Sequence, residues 1–189
     1  MTNIIFFGPP GAGKGTQAKI ISEFLQLPHL STGEILRSKI SQKDELALKL
    51  KKIMASGQLV SDEILNEIVS EKIIDYKEKG FILDGYPRTL NQSKFLEGIL
   101  NNQRLSLSYI FNIDISFDSL KDRIIKRSKE EGRDDDNLEA IKTRYEAYLK
   151  TTIEVSNYYK TQNHEIFFEI DGGHQIDEIT NKIKKIIVK

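Results

Sequence analysis

The chain contains no cysteine. That excludes disulfides, thiolate nucleophiles and cysteine-ligated zinc, so no zinc is expected. Its three histidines, His29, His164 and His174, are scattered and show no metal-ligand spacing. Neither sign of charge is in excess: Lys and Arg number 28, Asp and Glu also 28. A dedicated nucleic-acid binder carries a basic excess, so no nucleic-acid partner is expected. No apolar run approaches the roughly 18 residues of a membrane span, which argues against a membrane partner. The run Ile4-Ile5-Phe6-Phe7 is too short for a signal peptide, and no basic segment precedes it. A cytoplasmic protein of a reducing compartment is the expectation. Arginine is also scarce, with 7 against 21 lysines, so its positions carry information.

What is present fits a globular α/β domain. The 189 residues suit one domain, or one with a small insert. The 39% hydrophobic share is enough to bury a core. Short apolar runs at 3–7, 81–84, 107–115 and 166–170, with a possible fifth strand at 28–30, alternate with helical stretches. Helices are expected over 14–25, from Ser31 or Thr32 to Ile40, and over 44–55. Further helices are expected from Ser61 to about Lys79 (stopped by Gly80), over 89–101, and over 118–129. From Leu138 to Tyr159, apolar and semi-apolar residues recur at steps of three and four, the stripe of one long helix. Ile176, Ile179, Ile183, Ile186 and Ile187 give the apolar face of a last helix. Strands alternating with helices predict a five-stranded parallel sheet covered on both faces.

The strongest local signal is Gly8-Pro9-Pro10-Gly11-Ala12-Gly13-Lys14-Gly15-Thr16, between a buried strand and a helix. Glycines let successive backbone N–H groups turn toward one point, and the following helix adds its positive N-terminus. Lys14 supplies a full charge to β and γ phosphates. The alternative is a plain Gly/Pro turn. Gly15 stands where a hydroxyl residue often follows the lysine, with Thr16 next, so Mg²⁺ is expected to be held mostly by phosphate oxygens and water.

Beyond this loop, Ser31-Thr32-Gly33-Glu34-Ile35-Leu36-Arg37, the run Met54 to Glu63, and Asp84-Gly85-Tyr86-Pro87-Arg88-Thr89-Leu90-Asn91-Gln92 resemble the adenylate kinase family in order and spacing. Arg123, Arg127, Arg133 and Arg144 continue the resemblance, which spans residue 3 to about 175. It implies a P-loop NTPase-type fold with a core of residues 1–30, 61–127 and 138–189. To that core it adds a helical NMP-binding insert at 31–60 and a short lid loop at 128–137. It implies phosphoryl transfer from MgATP to AMP giving two ADP, with ATP, AMP and ADP as the partners and a monomer as the working unit.

By the same resemblance the catalytic set is Lys14, Asp84, Arg88, Arg123, Arg127, Arg133 and Arg144. ATP would lie on Gly11, Ala12, Gly13, Lys14, Gly15, Thr16, Arg123, Arg127 and the backbone at His174. AMP would lie on Thr32, Gly33, Arg37, Met54, Gly57, Gln58, Leu59, Val60, Gly85, Arg88, Gln92, Arg133 and Arg144. Six of the seven arginines fall on these positions; only Arg104 does not. Phosphate recognition by a planar fork explains why arginine is kept there while lysine serves elsewhere.

Some residues keep two readings. Met54 is pocket wall or helix core. Asp84 holds Mg²⁺ through water or caps the turn at Gly85. Asp134, Asp135 and Asp136 are a solvated helix cap or orient arginines. Gln92, with one donor and one acceptor end, suits the N1/N6 edge of adenine. The rival readings for the chain are a kinase of another nucleoside monophosphate and a nucleotide-binding module without catalysis.

Overall fold

The structure is a computed structural model, and it describes residues 1–41, 45–116, 119–120, 123 and 138–188. Five strands form one sheet: β1 (Thr2–Phe7), β2 (His29–Ser31), β3 (Gly80–Asp84), β4 (Tyr109–Asp114) and β5 (Phe167–Asp171). Their order is β2-β3-β1-β4-β5, and every neighbouring pair is parallel. This is the expected α/β architecture.

β1, β3 and β4 carry apolar runs at their centres because both faces are covered. Ile4, Phe6, Ile82, Phe111 and Ile113 belong to the core on one face, with Ala18 and Ile21 of α1 (Lys14–Leu25) and Ile179 and Ile183 of the last helix. Ile5, Phe7, Phe81, Leu83 and Ile110 belong to the core on the other. There they meet Leu65 and Val69 of α4 (Asp62–Tyr76) and Leu96 and Leu100 of α5 (Leu90–Asn102). The strict alternation along β1 is the period of two that a strand imposes.

Helices α2 (Thr32–Ile40) and α3 (Glu45–Ala55) occupy the segment expected to be an insert. Their Leu36, Leu50 and Met54, with Val60 beyond, join the same core cluster as Ile5 and Leu83. Ser31 is the N-cap residue of α2, but its side chain makes no capping bond. Thr89 does cap α5: its hydroxyl accepts the Gln92 N–H at 3.1 Å.

Three expectations need correction. Helix α4 ends at Tyr76, and Gly80 is the first residue of β3, paired with Thr2, rather than a helix stop. The long stripe is not one regular helix: α6 (Leu138–Ala147) passes into a π-helical turn, Tyr148–Thr152, and then α7 (Ile153–Gln162). The apolar face of α8 (Ile176–Ile187) begins at Ile179, since Ile176 is 52% exposed. The helix expected over 118–129 and the lid loop lie almost wholly outside the described residues. Among the described residues no helix is long and apolar enough to cross a membrane.

Candidate active site

Parallel strands all point their C-terminal ends the same way, and ligands of such sheets bind beyond that edge. The register sets the parts side by side: Phe6 pairs with Asp84, and Ser31 pairs with Asp84 from the other side. The loop after β1, the start of α2 and the turn after β3 therefore meet at one point. A cavity of about 940 Å³ opens there, near the top of the range of roughly 300–1,000 Å³ for small-molecule sites.

Its first wall is the loop 8–16. Gly13 is the N-cap residue of α1 in a left-handed conformation, φ 97°, with no side-chain cap and no acidic residue in the first turn. The positive end of α1 thus opens onto the cavity with no acidic residue in its own first turn. Lys14 Nζ folds back on the loop and donates to Pro9 O at 2.8 Å.

The opposite wall comes from residues 32–60. Thr32, Gly33, Arg37, Met54 and Gly57, Gln58, Leu59 and Val60 all line the cavity. The Thr32 hydroxyl donates to the carbonyls of Gly85 at 3.1 Å and Asp84 at 3.3 Å, tying α2 to the turn after β3. The Arg37 guanidinium lies over Gly33, where an added Cβ would come within 3.3 Å of it. Met54 meets both of its readings: it is buried in the core cluster and lines the cavity.

Between the walls stands Asp84. It is 9% exposed, and its Oδ2 faces the first turn of α1, 3.3 Å from the position of a Cβ on Gly15. Burial pushes its carboxyl up, but contact with His29 and the charges of Lys14, His29 and Arg88 outweigh that, and the net direction is below the ordinary carboxylate value. His29 Nε2 sits 3.4 Å from Asp84 Oδ2, an ion-pair distance rather than a well-formed hydrogen bond. Among the described residues, no group of three or more His, Asp or Glu side chains is placed to hold a metal by itself.

Arg88 and Arg144 close the remaining side of the cavity. Arg88 Nε donates to Gly85 O at 2.7 Å, which aims the rest of the fork at the cavity. Gly85 has φ 80°, and a Cβ there would lie 2.7 Å from Thr32 Oγ1 and 2.8 Å from Arg88 Nη2. The turn brings these groups too close for any side chain. Burial lowers the Arg88 pKa, Asp84 opposes this and Arg144 adds to it. Arg144 Nη2 reaches Met54 O at 3.5 Å, linking α6 to the end of α3.

Gly11, Ala12, Gly13, Lys14, Gly15, Thr16, Arg123 and His174 also line the cavity. His174 is exposed and lies 3.3 Å from Asp171 Oδ2 and 3.2 Å from Glu178 Oε2. Arg127, Arg133 and Asp134 to Asp136 fall outside the described residues.

Gln92 departs from expectation. It is fully buried and does not line the cavity. Its Nε2 donates to Asp62 Oδ1 at 2.8 Å, and its Oε1 accepts the Arg88 N–H at 2.7 Å. Asp62 and His29 are the residues that motif reading missed. Asp62 reads as an ordinary acid at a helix start, and His29 meets Asp84 only through the register of β2 on β3.

The sequence model of the adenylate kinase family matches residues 6–164. Similar relatives include adenylate kinases of Leptospira biflexa serovar Patoc, 40% identical over 188 residues, and Xylella fastidiosa strain 9a5c, 40% over 181. The first match covers 99% of this chain and 100% of the relative, the second 95% and 96%. An adenylate kinase of Chelativorans sp. is 41% identical over 194 aligned positions, with 98% of each chain covered. The chain belongs to the adenylate kinase family. It is an enzyme of phosphoryl transfer between adenine nucleotides, on a five-stranded P-loop fold. Adenylate kinases as a class use Mg²⁺ with ATP. The hard oxygen donors at this site, the ionised Asp84 facing α1 and the Thr16 hydroxyl at the cavity wall, fit that ion.

Proposed function

We propose that the cavity carries reversible transfer of the γ-phosphoryl group of MgATP to AMP, giving two ADP, and that this balances adenine nucleotides in the cytoplasm. One observation carries the reading. Lys14, Arg37, Arg88, Arg123 and Arg144, from separate stretches of the chain, line one cavity around the buried carboxylate of Asp84. Two polyanions brought end to end need this density of positive charge.

In this reading an oxygen of the AMP phosphate attacks the γ phosphorus as the bond to the β-bridging oxygen breaks, with the two oxygens in line. Catalysis is then positioning and charge stabilisation. The N–H groups of Gly11 to Thr16 and the Lys14 ammonium hold the donor phosphates. Arg123, with Arg127 by resemblance, faces the transferring group, and the backbone at His174 meets the donor adenine. Arg37, Arg88 and Arg144, with Arg133 by resemblance, hold the acceptor phosphate. Thr32, Gly33, Met54, Gly57 to Val60 and Gly85 form the nucleoside end, and Gln92, behind that wall, would meet the base with the N–H and lone pair left by its bonds to Asp62 and Arg88. Asp84, through water, and the nucleotide phosphates would hold Mg²⁺. Bound there, the ion neutralises charge on the β and γ oxygens. By resemblance, residues 128–137 would cover ATP and keep water out. The working unit is a monomer, which light scattering checks.

The test is ADP formation from MgATP with AMP, UMP, CMP or no acceptor, in parallel. Transfer to AMP, with negligible hydrolysis in the blank, is the expected result. A preference for UMP or CMP would overturn the assignment of the acceptor, and nucleotide binding without transfer would overturn the catalytic reading.

A further inference from the structure

The carboxamide of Gln92 belongs to a closed ring of hydrogen bonds. Nε2 donates to Asp62 Oδ1, Oε1 accepts the Arg88 N–H, and the other carboxylate oxygen of Asp62 accepts the Thr89 hydroxyl at 2.9 Å. That hydroxyl in turn accepts the Gln92 backbone N–H at 3.1 Å. The ring joins the first residue of α4 to the first turn of α5. It lies immediately beside the acceptor half of the cavity, whose wall includes Arg88, Val60 and Leu65.

A side-chain amide has two N–H donors and two lone pairs, and a half-turn about its last bond exchanges its ends. Here the half-turn is opposed at both ends, and more strongly at the charge-assisted bond to Asp62. An ionised carboxylate only accepts and a backbone N–H only donates, so a turned amide would set oxygen against oxygen and N–H against N–H. What remains is one N–H and one lone pair, which no other described group takes up. Both polar atoms of the buried amide are thus paired, and each keeps one further site for a ligand.

That remaining pair has a direction. Along the N1/N6 edge adenine offers an acceptor, N1, and a donor, the amino group. A 6-oxo purine offers the reverse, an N1–H donor and an O6 acceptor. An amide free to turn would serve either base, and a fixed one serves only one. We propose that Asp62 is the positioning residue for base selection: by holding Nε2 of Gln92 it fixes the amide in the sense that accepts a 6-amino purine and rejects a 6-oxo purine. This rests on Gln92 being the base reader of the acceptor site.

The experiment measures kcat/KM with MgATP for AMP and for inosine 5′-monophosphate, whose base differs from adenine only along that edge. Wild type, Asp62→Ala, Asp62→Leu, Asp62→Asn and Gln92→Leu are compared. Both acceptors are run on the same preparation, so the ratio is independent of how much enzyme is folded. The ratio of AMP to inosine monophosphate is expected to fall about tenfold or more in the Ala and Leu variants and in Gln92→Leu. Asparagine keeps an acceptor for Nε2, so Asp62→Asn is expected to stay within about threefold of wild type. A fall in Gln92→Leu with none in Asp62→Ala and Asp62→Leu would leave the base reader standing and overturn the role of Asp62. An unchanged ratio in Gln92→Leu would overturn the base reader, and the proposal with it. A loss as large in Asp62→Asn as in Asp62→Ala would assign the effect to charge and overturn the orientation argument.

Discussion

Arg88 is held at three points: Nε on Gly85 O, the backbone N–H on Gln92 Oε1, and the carbonyl accepting the Thr152 hydroxyl at 3.3 Å. With Nε anchored, the two terminal nitrogens are left in a known plane beside the cavity. A lysine has one ammonium and cannot both bond Gly85 O and present a fork. Arg88→Lys is therefore expected to lower kcat about tenfold or more while the KM for AMP changes less than about threefold. Steady-state kinetics with varied AMP check this, and equal kcat in the two proteins would show that a point charge suffices. Arg37, Arg88, Arg123 and Arg144, which line the cavity, could be picked out from the sequence because phosphate binding would constrain the residue type itself. Asp62 and His29 could not. Their partners, Gln92 and Asp84, are far along the chain, and only the packing of α4 on α5 and the register of β2 on β3 bring them together.

The element most changed from its expected form is the long helix. Steps of three and four predict an unbroken stripe from Leu138 to Tyr159, and Ile141, Thr152, Val155 and Tyr159 are indeed buried. The pattern does not report the hydrogen-bond ladder, however, and the ladder widens to a π turn at Tyr148–Thr152. The Thr151 hydroxyl donates to Ala147 O at 2.9 Å, and such back-bonding competes for carbonyls and bends helices. Tyr148 and Thr152 both line the cavity, in keeping with the frequency of π turns at functional sites. The strands were legible for a plainer reason: β1 and β3 are buried on both faces, so their apolar runs are continuous. Upstream of this turn the long helix also bears on the insert. Gly57 has φ 74°, and a Cβ there would run into the Ala140 carbonyl and come within 2.9 Å of Ala140 Cα. Gly57→Ala must push the turn 57–60 away from α6, besides the cost of a positive φ, about 1–2 kcal/mol. The expected outcome is a KM for AMP raised about fivefold or more with the KM for ATP little changed, because the loop 8–16 is untouched. Equal changes in both constants would mean that the turn does not belong to the acceptor side alone.

Over the whole molecule positive and negative residues balance at 28 each, yet the described cavity wall gathers Lys14, Arg37, Arg88, Arg123 and Arg144. Asp84 is a buried carboxylate that faces this charge, and the favourable interaction holds its pKa below the ordinary carboxylate value. A group whose pKa is lower in the folded than in the unfolded state contributes stability in full above its unfolded value, about 3.9 for aspartate. That contribution is lost as pH falls through the lower folded value. Asp84→Asn should therefore unfold more easily than wild type at pH 7, by on the order of 1–3 kcal/mol, since it removes the buried carboxylate that faces these partly buried cations. For a domain of this size that is about 2–4 °C of Tm per kcal/mol. The gap between the two proteins should narrow once the pH drops below about 4. Bound ATP should narrow it as well at pH 7, because its phosphates bring negative charge to the same cations. Thermal unfolding of both proteins at pH 7 and across the acid range, with and without MgATP, measures each effect. A gap that persists unchanged in acid would place the contribution of Asp84 in its shape and backbone position rather than its charge, and the electrostatic account of the site would have to be abandoned.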